Sequence, residues 1–126
     1  MDPRSLALAH AAGRIAAGAA LALAPRTVGR AWVGRVGATS GTRVITTAMG
    51  ARDAAIGMGL AAAVRSGREP GEWVRAGVLA DAADLVATLR ARDDVPALSL
   101  VGVAAIAAGS TALGLYLDRA LAQSAP

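Results

Sequence analysis

Apolar residues gather in four long stretches, residues 5–24, 44–64, 73–89 and 97–117. The charged residues inside them are Arg14, Arg52, Asp53, Arg75, Asp81 and Asp84. All other charges, and Pro3, Pro25, Pro70, Pro96 and Pro126, fall between the stretches or at their ends. A soluble amphipathic helix carries charge along one face for its whole length. Charge collected at segment ends is instead the pattern of helices that cross a bilayer, where a helix satisfies its own backbone groups. The pattern predicts an all-α fold: a single four-helix transmembrane bundle over residues 1–126, with helices at those four ranges.

The four stretches differ in strength. Residues 97–117 contain no charge. At 1.5 Å per residue they reach about 32 Å, matching a hydrocarbon core of roughly 30 Å. Residues 5–24 are dominated by Ala and Gly and interrupted by Arg14. The triplet Ala22-Leu23-Ala24 resembles a signal-peptide cleavage site. However, His10, Gly13 and Arg14 break the apolar run, and Pro25 would follow the cut. Residues 44–64 do not insert alone. Arg52 and Asp53 each cost roughly 2.5–3.5 kcal/mol near a helix centre, while Val44, Ile45, Ile56, Leu60 and Val64 return only about 0.3–0.6 each. Asp81 and Asp84 pose the same problem in residues 73–89. Either partner helices satisfy these charges, or these segments do not span a membrane.

The connection at residues 25–43 places Val28, Trp32 and Val36 at helical spacing between Arg26, Arg30 and Arg35. It reads either as a short helix in the headgroup region or as a plain basic loop. Arg68-Glu69-Pro70-Gly71 and Asp93-Asp94-Val95-Pro96 read as turns. Trp32, Trp73 and Tyr116 sit near segment ends, as in an aromatic belt. Arg26, Arg30, Arg35, Arg43, Arg90 and Arg92 fall on one side. Arg4, Arg65, Arg68 and Arg119, with Arg75 at a helix edge, fall on the other. The positive-inside rule then puts the first and third connections in the cytoplasm and both termini outside.

Composition agrees with a membrane chain. Charged residues make up 17%, against roughly 25% in an ordinary soluble domain, and mean hydropathy is +0.48. The absence of Cys excludes a disulfide scaffold and thiolate metal sites. The net charge of +4 raises nucleic acid as a partner. The arginines are scattered singly, with almost no aromatics to stack bases, so no nucleic-acid partner is expected. All basic residues are Arg and Ala is in large excess, the bias of a GC-rich bacterial genome.

Gly57-Met58-Gly59-Leu60-Ala61-Ala62 matches the dinucleotide fingerprint, with Asp81 at a suitable distance. No buried strand precedes it and no second βαβ unit follows, so chance in a Gly/Ala-rich chain explains it. Pairs of small residues four apart, such as Gly13/Ala17, Ala55/Gly59, Ala105/Gly109 and Ser110/Gly114, allow close helix packing. Ser5, Ser40, Ser66, Ser99, Ser110 and Ser124 lie in no nucleophile-elbow context. His10 is the sole histidine. With no second imidazole it is more readily a core or interfacial residue than a metal ligand. No catalytic constellation, metal site or cofactor is expected.

The distinctive residues are the mid-span charges. Gly77, Asp81, Asp84 and Thr88 share one helical face, as do Thr46, Gly50, Asp53 and Gly57, and as do His10, Arg14 and Ala17. Arg52 lies about 100° from Asp53 and points toward another neighbour. Ionisable groups at that depth face the bundle interior and pair with one another. The candidate network is Arg14, Arg52, Asp53, Asp81, Asp84 and His10. Two Arg against three Asp leaves one carboxylate over unless His10 is protonated, and the left-over carboxylate is expected to be unpaired and protonated. The network reads as a structural Arg–Asp lock, or as a proton- or ion-linked site.

The runs Gly13-Arg14-Ile15-Ala16-Ala17-Gly18, Ala24-Pro25, Gly50-Ala51-Arg52-Asp53-Ala54-Ala55-Ile56-Gly57-Met58-Gly59 and Ala80-Asp81-Ala82-Ala83-Asp84 resemble small bacterial membrane proteins grouped under a domain of unknown function. In outline they are more distantly similar to DoxX-like four-helix proteins. The resemblance implies a four-helix membrane fold and carries no catalytic role. The expected protein is a non-enzymatic, multi-pass component of the bacterial inner membrane, with the lipid bilayer and a homo-oligomer as partners. The alternatives are a proton-linked transporter or channel subunit, and a soluble Ala-rich bundle that binds a partner.

Overall fold

The computed structural model describes residues 2–123; Ser124 and Pro126 lie outside them. The order is α1 (Pro3–Leu23), α2 (Pro25–Val33), a 3-10 turn (Gly34–Ala38), α3 (Ser40–Arg65), α4 (Gly71–Arg90) and α5 (Ala97–Gln123). The fold is all-α, with no strand among the described residues. Among the described residues there are five α-helices rather than four, because the first connection is itself helical.

Local chemistry sets the helix ends. The Asp2 carboxylate caps α1 by accepting the amides of Arg4 and Ser5, each at 3.0 Å. The Ser5 hydroxyl and these amides hold that carboxyl below its ordinary range. Ala24 leaves helical geometry (φ −126°, ψ 49°), and Pro25 then starts α2 at the position where a missing N–H costs nothing. The Thr39 hydroxyl accepts the Thr42 amide at 3.4 Å and starts α3. Hydropathy alone placed that start four residues later. Similarly, α5 continues past Leu117 to Gln123, since Asp118 and Arg119 end the apolar run without ending the helix.

The tightest helix pair is α1 with α3. A Cβ on Gly18 would lie 2.6 Å from the Gly50 carbonyl, and one on Gly50 would lie 2.5 Å from the Ala22 amide nitrogen. One on Gly57 would lie 2.8 Å from the Ala11 carbonyl. Three missing side chains therefore let the two backbones touch. Of the four-apart pairs in the sequence, Gly13/Ala17 and Ala105/Gly109 make no such approach at their glycines. The second major pair is α4 with α5.

The buried apolar cluster sits at one end of the bundle. It joins Ala7 and Ala11 of α1, Leu60, Ala61 and Val64 of α3, Val74 of α4, and Leu117 and Leu121 of α5. At the other end, Gly34 (φ 71°) packs beside Pro96, bringing the first and third connections together. Many large apolar side chains are nonetheless exposed, among them Val44, Ile45, Met58, Leu79, Leu98, Val101 and Ile106. Among the described residues two helices, α1 and α5, are long and apolar enough to cross a membrane. The more apolar of the two, α5, has only 11% of its most apolar window buried.

Candidate functional site

The close approach of α1 and α3 carries Arg14 across to Asp53. The Arg14 Nη1 donates to Asp53 Oδ1 at 3.2 Å. Its Nη2 donates to the Gly77 carbonyl at 3.2 Å and to Asp81 Oδ2. Gly77 is what lets the guanidinium lie against α4, since a Cβ there would sit 3.3 Å from Arg14 Cζ. The Arg14 side chain is only 4% exposed, and three acceptors on two helices compensate its burial.

Arg52 completes the network from the other side of Asp53. Its Nε donates to Asp53 Oδ1 at 3.1 Å. Its two terminal nitrogens meet both oxygens of Asp84, at 3.3 and 2.7 Å, in a fork-to-fork pair. The Ser110 hydroxyl on α5 donates to Asp81 Oδ2 at 2.6 Å. One continuous cluster therefore joins α1, α3, α4 and α5.

The five charged residues singled out in the sequence lie together. His10 lies beside them, half-buried, and makes no hydrogen bond or ion pair with any described residue. The expectation of one unpaired carboxylate is corrected: Asp53, Asp81 and Asp84 are all paired. A guanidinium has five N–H donors on a flat fork, so two arginines serve three carboxylates, and Asp53 Oδ1 is shared between them. Asp53 Oδ2 and Asp81 Oδ1 accept no hydrogen bond from any described residue.

Sequence reasoning missed three participants. Ser110 shows in the sequence as a small residue with no nucleophile-elbow context, although it is a hydroxyl in the middle of a charge-free span. Thr88 was placed on the Asp face but given no partner. It accepts a hydrogen bond from Trp32 Nε1 at 3.2 Å and donates to the Asp84 carbonyl at 2.7 Å. Trp32 thus ties α2 to α4. Arg75 lies apart from the network and pairs with Asp118 at 3.0 Å, linking the start of α4 to α5.

The network floors a cleft of about 700 Å³ between α1, α2, α4 and α5. Its walls are apolar, and His10, Arg14, Asp53, Asp81, Asp84 and Ser110 supply the polar lining. Arg52 is not part of the lining. No group of three acidic or histidine side chains among the described residues is arranged to hold a metal ion. No protein-family model, curated protein or solved structure matches the chain.

Proposed function

We propose that this chain is a small, non-enzymatic, multi-pass membrane protein. In this reading α1, α3, α4 and α5 cross the bilayer as a four-helix bundle, and the Arg–Asp network fixes their register. The observation that carries the reading is α5, the more apolar of the two span-capable helices and yet one that buries 11% of its most apolar window. A soluble bundle would turn that helix inward. A bilayer solvates it as it stands. The buried charges support the same reading. Helices α3 and α4 carry them at mid-length, and each charge meets an opposite charge on another helix. This removes the insertion penalty that α3 would face alone. Bacterial inner membrane is the compartment that suits the composition.

Alkaline carbonate washing of membranes tests this. The full chain is expected in the pellet. A folded monomer in the supernatant contradicts the membrane reading.

A second reading, a proton-linked transporter or channel subunit, draws on one observation. Three carboxylates line a cleft, and acidic groups at bundle depth mark proton and ion pathways. Proton flux in liposomes separates it from the first.

A further inference from the structure

The geometry points to a binding site, in the cleft above the Arg–Asp network, for an amphipathic organic cation with an ammonium head and an apolar body.

Size and lining describe such a ligand. The cleft of about 700 Å³ falls in the range of sites for small organic molecules. Its walls are built from residues such as Leu21, Val28, Val103 and Leu113. Ala17, Ala20 and Ile106 line it while remaining exposed, and so mark a mouth between α1 and α5. Gly13, also on the lining, has nothing within 4 Å of where its Cβ would stand. In the bilayer reading, on which this inference rests, that mouth faces the hydrocarbon. A hydrophobic body would enter sideways without crossing water.

Charge selects the head group. The network holds three carboxylates and two guanidinium groups, a net charge of −1 with His10 neutral. In the lining Arg14 is the one guanidinium beside Asp53, Asp81 and Asp84, while Arg52 pairs with Asp84 and Asp53 from outside it. Asp53 Oδ2 and Asp81 Oδ1 remain as acceptors. An ammonium group brings one positive charge and hydrogen-bond donors to those oxygens. A calcium ion takes six to eight oxygen ligands, and among the described residues no group of three acidic or histidine side chains is arranged to hold a metal ion. An anionic or neutral head would leave the excess negative charge uncompensated.

The test uses the full chain in zwitterionic lipid nanodiscs, titrated calorimetrically with n-octylammonium, n-octanol and n-octanoate. Empty nanodiscs serve as the blank. The three probes share a chain and differ in head group. Octylammonium is expected to bind saturably, at one site per chain, about tenfold or more tighter than octanol. Octanoate is expected not to bind. Val103→Trp, which fills the wall without touching the network, should abolish the binding. Asp81→Asn, which keeps an acceptor for Ser110, should weaken it by about tenfold. Equal binding of octanol and octylammonium would make the cleft a groove for lipid chains and overturn the proposal. So would the absence of saturable binding, or binding that survives Val103→Trp. Carbonate extraction reads the membrane assignment separately, so a failed titration of a pelleted, folded protein counts against the ligand alone.

Discussion

Arg52 and Asp84 face each other fork to fork, the two terminal nitrogens at 3.3 and 2.7 Å from the two carboxylate oxygens. This pair joins α3 to α4, helices that otherwise pack together much less than α3 does with α1. The α1–α3 contact is made chiefly by backbone approach, whereas α3 and α4 meet through this charge pair and through the Trp73 ring lying on Gly59. The two interfaces should therefore fail under different substitutions.

Arg14 should be the least replaceable residue in the chain. It meets Asp53, the Gly77 carbonyl and Asp81 at once. Arg14→Leu leaves two buried carboxylates short of a partner, and removing one member of a buried pair typically costs about 3–5 kcal/mol. Arg14→Lys should not rescue it, because an ammonium on a flexible stem cannot span three acceptors on two helices. Thermal unfolding in detergent or nanodiscs measures both. A lysine variant as stable as the parent would show that only charge matters at this position.

The α1–α3 interface predicts a contrast between glycines. Gly50→Ala drives a Cβ to within 2.5 Å of the Ala22 amide nitrogen. It should cost about 1–3 kcal/mol through overpacking, while changing no charge. Gly109→Ala meets nothing within 4 Å, and should be neutral or stabilising by up to about 1 kcal/mol through helix propensity. Equal effects at the two positions would mean that α1 and α3 do not touch as described.

Much of this was legible in the chain. The thinning of charge marked the four long helices, and helical spacing put Asp81, Asp84 and Thr88 on one face. Helix ends were less legible, because Thr39 caps α3 through its hydroxyl while hydropathy first rises at Val44. The sharing of Asp53 Oδ1 by Arg14 and Arg52 was not legible. Counting charges treats each pair as one to one, while a guanidinium donates along several directions. Ser110 escaped for a related reason: its role depends on α5 packing against α4, and its own sequence neighbourhood does not reveal that.

Orientation follows from the end of the bundle where Gly34 meets Pro96. Arg26, Arg30, Arg35, Arg43, Arg90 and Arg92 cluster in the connections and helix ends there. In the proposed bilayer reading, the positive-inside rule predicts that this end faces the cytoplasm. Ser40→Cys, an exposed position at the start of α3, should resist a membrane-impermeant thiol reagent in intact cells and react after lysis. Labelling in intact cells would reverse the orientation.

The central claim is that the charges hold the helices together, and a double-mutant cycle on Arg52 and Asp84 in lipid nanodiscs tests it most directly. Arg52→Leu and Asp84→Leu should each lower the thermal midpoint, and the double variant should recover most of the loss. The Arg52 side chain is 35% exposed. Its share should accordingly fall below that of a fully buried pair, with a coupling of about 0.5–3 kcal/mol. If both single variants melt with the parent and the coupling vanishes, the network does not hold the bundle, and the carboxylates are better read as the lining of a solvated pathway.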